Sequence, residues 1–253
     1  MSDLRLVRKY FYGVIDCSRE GALGITGIDD RAVCCTPWQD IGAAVSEFPR
    51  DRCSANVSAI ARHELVIETL MKTHSLLPAR FGTILSEAAQ VTELLSANYE
   101  GFLRDLERLR NKVEFGLKVL WPAGELRMLI ERNEPGLSPP GNCPAGPGAR
   151  YALFKRRESA IELALAHRAE GNVTEIQRAL LQFSSESRCQ VLPSEGLMLS
   201  GVYLVDRSQC EAFRKVVDAL QSKSSKFCFL LAGPWPPHSF MSLDSRIMKY
   251  QTC

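Results

Sequence analysis

No apolar stretch in this chain approaches the roughly 18–20 residues a helix needs to span a bilayer, so no membrane-spanning helix is expected. The first residues, Met1-Ser2-Asp3-Leu4-Arg5, lead into a strand-like run without the apolar core or small-residue cleavage site of a signal peptide. Charge of one sign is scarce. The formal net charge is only +2, and nothing in that balance calls for nucleic acid or an anionic membrane. The cysteines number nine, an odd count, with no C-x-x-C spacing, and Cys34-Cys35 are simply adjacent. In a chain of 253 residues without an export signal, this predicts free buried thiols in a reducing cytoplasm and no disulfides. The N-x-S/T triplets at Asn56 and Asn172 then carry no glycan.

Catalytic signatures are missing as well. His63-Glu64-Leu65-Val66-Ile67 begins like a zincin helix, but Ile67 stands where a second histidine would have to face the ion. His63 is therefore read as structural. Gly21, Gly24 and Gly27, three apart, match neither a dinucleotide fingerprint nor a P-loop and are read as turns. There is no G-x-S-x-G elbow, and the four histidines are scattered. Gly146-Pro147-Gly148 ahead of a helix offers backbone amides to an anion. That leaves an alternative, a small-molecule or phosphate-ligand enzyme using the Gly146–Arg150 loop. Lys155-Arg156-Arg157 is the most basic cluster and Asp105–Arg110 mixes both signs; both are read as solvated helix faces.

What is present is a globular composition, 45% hydrophobic and 24% charged, at a length of one large or two ordinary domains. Lys9–Asp16 is aromatic and β-branched and reads as a first strand. Arg31–Thr36 and Ile41–Glu47 follow as a hairpin. Ala55–Ser75 is helical through Ile60, Ile67, Leu70 and Met71, and Pro78 lies just past its end. Pro78–Leu85 is a short strand or loop. Helices follow near Glu87–Ala97 and Tyr99–Arg110, the second with an apolar face of Phe102, Leu103, Leu106 and Leu109.

The second half alternates clearly at Val113, Phe115, Leu117 and Val119, the period of a half-buried strand. After a helix near Ala123–Arg132 comes a Pro/Gly-rich loop, 134–148, then a helical region over Ala149–Phe183 with an expected break at Gly171-Asn172. Ser187–Leu192 and Leu197–Val205 read as strands joined by a turn at 193–196. A helix with a Ser208/Glu211 capping box follows, facing inward with Phe213, Val216, Val217 and Leu220. Phe227–Gly233 closes as a strand expected to be buried. From Val113 the order is β-α-β-β-α-β, the ferredoxin-like arrangement, with an interdomain linker near Arg110–Lys112. RNA-recognition modules share that order, but Leu197–Val205 has one aromatic, Tyr203, and no charge, so no nucleic acid is expected.

Behind the last strand stands Gly233-Pro234-Trp235-Pro236-Pro237-His238-Ser239-Phe240. Three prolines within four positions remove backbone donors and forbid a helix or a central strand. A stiff segment of this kind has to be held, and Trp235 and Phe240 are large enough to anchor it.

With Leu76-Leu77-Pro78-Ala79-Arg80-Phe81-Gly82-Thr83, Gly146-Pro147-Gly148-Ala149-Arg150-Tyr151 and Ser200-Gly201-Val202-Tyr203-Leu204-Val205-Asp206, this string resembles one family, the gas-vesicle proteins of the GvpL/GvpF type. The resemblance runs from about Tyr10 to Phe240 and is most specific in the closing motif; the loop at 134–148 is where divergence is expected. It implies an α+β protein of two domains. These are a mixed α/β domain over 1–110 and a modified ferredoxin-like domain with a helical insertion over 111–233, with a Pro-rich tail, 234–253, packing on both. It further implies a minor, non-catalytic component of vesicle assembly, cytoplasmic and vesicle-associated, whose partners are the small shell protein GvpA and other accessory Gvp proteins. No cofactor, metal or catalytic residue is implied. Arg80, Phe81, Tyr151, Trp235, Pro236 and Phe240 are the structural or interaction candidates. The tail is expected to cross the domain junction with Arg80-Phe81 beside it.

Overall fold

The computed structural model describes residues 7–133, 146–192 and 196–242. Most of the expected Pro/Gly loop (134–145), three turn positions (193–195) and the tail beyond 242 lie outside the described residues. The described residues up to Val113, with those from Trp235 on, form one compact unit, and Glu114–Pro234 form a second.

The first unit is built on a six-stranded sheet ordered β2-β3-β4-β1-β5, with β6 also paired to β1. Strand β1 (Arg8–Ile15) pairs with β4 (Ile41–Phe48), and a bulge between Phe11 and Gly13 shifts the alternation of its side chains. Tyr10, Tyr12 and Ile15 consequently share one core cluster with Val66, Ile67 and Leu70 of α1 (Val57–Thr73). Gly13 is required here, since a Cβ would sit 2.4 Å from the Leu77 carbonyl oxygen of β5 (Leu76–Pro78). The Asn56 side chain caps α1 by accepting from the Ala59 amide at 2.8 Å. The buried face of α1 is His63, Val66, Ile67 and Leu70, while Ile60 is 40% exposed, so the expected stripe is rotated toward His63.

Gly21–Thr26 is not a set of turns but strand β2, paired with β3 (Ala32–Trp38) at the sheet edge. The glycines hid it. Gly24 sits at φ 71 within a register shift, so the backbone pairs without the alternation that marks a strand. The β3–β4 hairpin turns at Gln39-Asp40 with Gln39 at φ 52. After β6 (Ile84–Leu85) come α2 (Ala88–Ala97) and α3 (Tyr99–Arg108). Phe102 and Leu106 are buried on α3 as expected, but Leu103 is exposed and Asp105 takes a place in the interior.

The second unit holds a four-stranded sheet ordered β10-β7-β9-β8. Its first strand, β7 (Lys112–Leu120), buries Val113, Phe115, Leu117 and Val119 as the alternation predicts. Helices α4 (Ala123–Asn133) and α5 (Pro147–Leu180) lie in sequence between β7 and β8 (Glu186–Val191). Strand β9 (Leu197–Asp206) pairs antiparallel with β8, and α6 (Cys210–Lys223) precedes β10 (Cys228–Trp235). Phe115 stacks on Phe213 at 5.1 Å between centroids, and the Arg214 guanidinium lies over the Phe115 ring at 5.0 Å from its centroid. Arg214 also donates to the Gly233 carbonyl at 2.8 Å, tying α6 to β10.

Three expectations for this unit are corrected. Strand β10 is an edge strand with no buried residue, because its apolar run lies outermost in the sheet. No Ser208/Glu211 box forms. The Asp206 side chain instead accepts from the Ser208 amide at 2.9 Å and starts a short 3-10 turn before α6. Helix α5 runs unbroken through Gly171-Asn172, since Val173, Ile176 and Leu180 hold the downstream half in the core. A Cβ on Gly171 would meet nothing within 4 Å. Gly171→Ala should therefore stabilise the protein by about 0.5–1 kcal/mol, seen as a higher urea midpoint at unchanged slope.

All seven described cysteines are free. Cys35 and Cys53 are buried, but Cys228 is exposed and the others are half-buried, so burial describes only part of the set. No described helix is long and apolar enough to cross a membrane.

Candidate functional site

Two arrangements in the first unit account for two of the motifs that stand out in the sequence, the Leu76–Thr83 string and the closing Pro-rich string. The first holds the β5–β6 connection, which carries Arg80 and Phe81. Tyr10 and Tyr12 on β1 and His63 on α1 are all fully buried. The Gly82 amide donates to the Tyr10 hydroxyl at 2.9 Å, so that hydroxyl's own proton is available to His63 Nδ1 at 3.1 Å. His63 Nε2–H then donates to the Ala79 carbonyl at 3.2 Å, which fixes the neutral tautomer. The His63 ring lies 5.8 Å from Tyr12, stacked, and 5.7 Å from Phe81, edge-on. The Thr83 hydroxyl closes the turn onto the Arg80 carbonyl at 2.8 Å. Tyr12 in turn receives the Ile28 amide at 2.8 Å and meets Ser46 at 3.1 Å.

Burial pushes the His63 imidazole down to about 4, against the opposing effect of the Ala79 carbonyl, and His238 lowers it further. With both nitrogens engaged and no exposure, His63 braces a loop and is not a base open to substrate. The result is a rigid platform with Arg80 exposed at its tip and Phe81 half-buried behind it.

The second arrangement grips the tail. Phe240 is fully buried and Pro236, Pro237 and Met241 are buried with it. Asp105 of α3, only 3% exposed, accepts from the Ser242 amide at 2.7 Å, from the Ser242 hydroxyl at 2.9 Å and from Arg108 at 2.8 Å. Arg108 also donates to the Phe240 carbonyl at 2.6 Å. Reading Asp105–Arg110 as a solvated face therefore missed the residues that clasp the tail. An acid and a base three apart on a helix that also carries an apolar face was the available signal. Asp105→Asn removes the charge that collects these donors. It should cost about 1–3 kcal/mol, measured by urea denaturation, with the tail cut sooner by protease.

The candidate residues thus differ in placement. Phe240 and Pro236 are buried, Trp235 is 49% exposed, Arg80 is exposed, and Tyr151, in the other unit, is 64% exposed. The tail and the Arg80–Phe81 loop belong to the same unit, and His238 acts electrostatically on His63. Among the described residues no group of His, Cys, Asp and Glu could hold a metal ion. Gly146–Arg150 lie exposed at the start of α5.

A family model described as gas vesicle synthesis protein GvpL/GvpF matches residues 8–242. The chain belongs to the GvpL/GvpF family. It is 27% identical to gas vesicle protein F of Streptomyces sp. (strain CB03234) over 247 residues, covering 92% of this chain and 98% of that protein. To gas vesicle protein L of the same strain it is 28% identical, over 73% of this chain and 69% of that one. The crystal structure of GvpF from Anabaena sp. PCC7120 has the same fold, with a TM-score of 0.79 at 19% identity, covering 93% of this chain and 98% of the other. The mixed α/β architecture with two sheets is therefore that of GvpF structures. The relatives are named as gas vesicle proteins and not as enzymes. The match begins at β1 and ends at Ser242, so the GvpL/GvpF homology spans both units and the clasped tail.

Proposed function

We propose that this protein is a minor structural or accessory component of gas vesicle assembly that binds the small shell protein GvpA and other Gvp proteins during nucleation or growth. The observation that carries this reading is the family match over 8–242, nearly the whole chain. In this reading the second unit is a modified ferredoxin-like domain and the tail is a strap on the first. The protein works in the cytoplasm, at the vesicle. A shell subunit that lines a gas space exposes apolar surface before assembly, and an accessory protein that covers it prevents aggregation. Two features support such a role. Strands β8 and β10 are the edge strands of the second sheet, the positions at which strand addition takes place. A groove of about 910 Å³, bordered by Trp121, Pro122, Arg127, Leu163, Leu165 and Ala166, suits an amphipathic helix.

Deleting the gene and imaging the cells should give fewer or misshapen vesicles; normal vesicles in normal number would end the proposal. Trp235, exposed at the end of β10, is the candidate contact residue beside Arg80 and Phe81. Trp235→Ala should reduce co-purification with GvpA without loss of folding. Unchanged co-purification by a folded variant assigns Trp235 no contact role.

A further inference from the structure

Helix α5 begins at Pro147, yet its first buried side chain is Ile161. Before it, Tyr151 is 64% and Phe154 53% exposed, with Leu153 exposed at their flank. At 3.6 residues per turn Tyr151, Phe154, Ile161 and Leu165 fall on one stripe. The stripe that forms core from Ile161 onward is thus exposed over the opening turns among the described residues. Among the described residues, helix α4 marks where cover stops. Its Arg127 pairs with Glu158 and its Glu131 with Arg157 at 3.1 Å, so its last turn reaches only the level of Arg157.

Charge on this end of α5 has one sign. Residues 146–157 include Arg150, Lys155, Arg156 and Arg157 and no aspartate or glutamate. Arg157 is engaged by Glu131, and among the described residues no carboxylate pairs with Arg150, Lys155 or Arg156. The positive end of the helix dipole adds to the same field. In a chain whose net charge is only +2, this is a local concentration of positive charge around exposed aromatic rings.

We infer that the opening turns of α5 are a docking surface for an acidic amphipathic helix of a partner protein. Its apolar face would lie on Tyr151 and Phe154, and its carboxylates beside Arg150 and Lys155, which flank that stripe on either side. Charge complementarity selects an acidic partner. The bare stripe continues the line along which α4 already packs, which selects a helix. This deepens the assembly reading and rests on it only for the partner being a vesicle component.

The test uses the full chain and a fluorescein-labelled Leu/Glu amphipathic peptide, with its Leu/Lys counterpart as control, read by fluorescence anisotropy. The Glu peptide should bind at least about tenfold tighter than the Lys peptide, and more weakly as salt rises. Tyr151→Ser with Phe154→Ser, and separately Arg150→Glu with Lys155→Glu, should each weaken it about tenfold at unchanged melting temperature. If the first pair disturbs folding, the charge reversal decides. Equal binding of both peptides, or binding unaffected by the variants, overturns the inference. So does preferential sedimentation with phosphatidylglycerol vesicles, or wild-type self-association abolished by the same substitutions. Gene deletion reads the role independently of the peptide. A failed peptide test beside a deletion phenotype removes this surface and keeps the role, and the converse removes the role alone.

Discussion

Phe240→Ala should cost about 3–5 kcal/mol, the range for emptying a fully buried aromatic site, whereas Trp235→Ala should stay within about 1 kcal/mol. The two residues stand five positions apart in one motif and look interchangeable as anchors. Phe240 is fully buried, while Trp235 is 49% exposed. Losing the Phe240 ring also loosens the backbone beside it, whose carbonyl holds Arg108 at 2.6 Å. Arg108 and Ser242 meet at Asp105, so the damage spreads to the whole clasp. The measurement is a urea titration of each variant, with hydrogen exchange at the Ser242 amide as a local reading. Equal losses for the two variants would show that Trp235 anchors the tail as firmly as Phe240 does.

The same contrast shows which parts of the molecule a sequence can disclose. Local periodicity disclosed β7, because Val113 to Val119 alternate against a core on one face. It disclosed α1, since Asn56 caps it and its apolar residues recur at helical intervals. It failed at β2, where Gly21 pairs through backbone alone and Gly24 sits in a register shift, and at Gly171, where packing of Val173 and Ile176 outweighs a glycine's cost. The apolar run of β10 pointed to a buried strand, but the sheet order leaves it at an edge. At the candidate site, aromatic content and proline stiffness flagged Phe240, whereas Asp105 and Arg108 looked like surface charge. Their partners in the tail lie 132 to 137 residues away, and no local pattern encodes a contact of that span.

The clasp and the His63 network have a common logic. Each uses a buried polar side chain to gather backbone groups that the sheet leaves unpaired, Ala79 and Gly82 through His63 and Tyr10, Phe240 and Ser242 through Arg108 and Asp105. Both therefore fix irregular segments, the Arg80–Phe81 turn and the Pro-rich strap, that have no ladder of their own. Arg80, exposed on the first of these segments, is thereby presented from rigid backbone, and Trp235 stands exposed where β10 leads into the second.

That dependence gives the second large effect, a loss of stability on acidification that runs through one residue. At pH 7 His63 is neutral in the folded chain and mostly neutral in the unfolded one, so it contributes little pH dependence there. Below its ordinary value of 6.5 the unfolded chain takes up a proton that the folded chain refuses until about 4. Unfolding is therefore favoured progressively as pH falls through that window, and the loss levels off below it. At about 1.4 kcal/mol per pH unit the full cost is about 3 kcal/mol. Glu64, on the same helix, is shifted upward by burial and by Glu68, which acts in the opposite sense, and His238 acts electrostatically on His63. Both remain in His63→Gln, so the difference between wild type and variant isolates the imidazole. Urea denaturation at intervals from pH 7 to pH 4 should show wild-type stability falling about 3 kcal/mol more than that of His63→Gln. Parallel curves would mean that the native protein admits a proton to His63, and that the Tyr10–His63–Ala79 chain yields when it does.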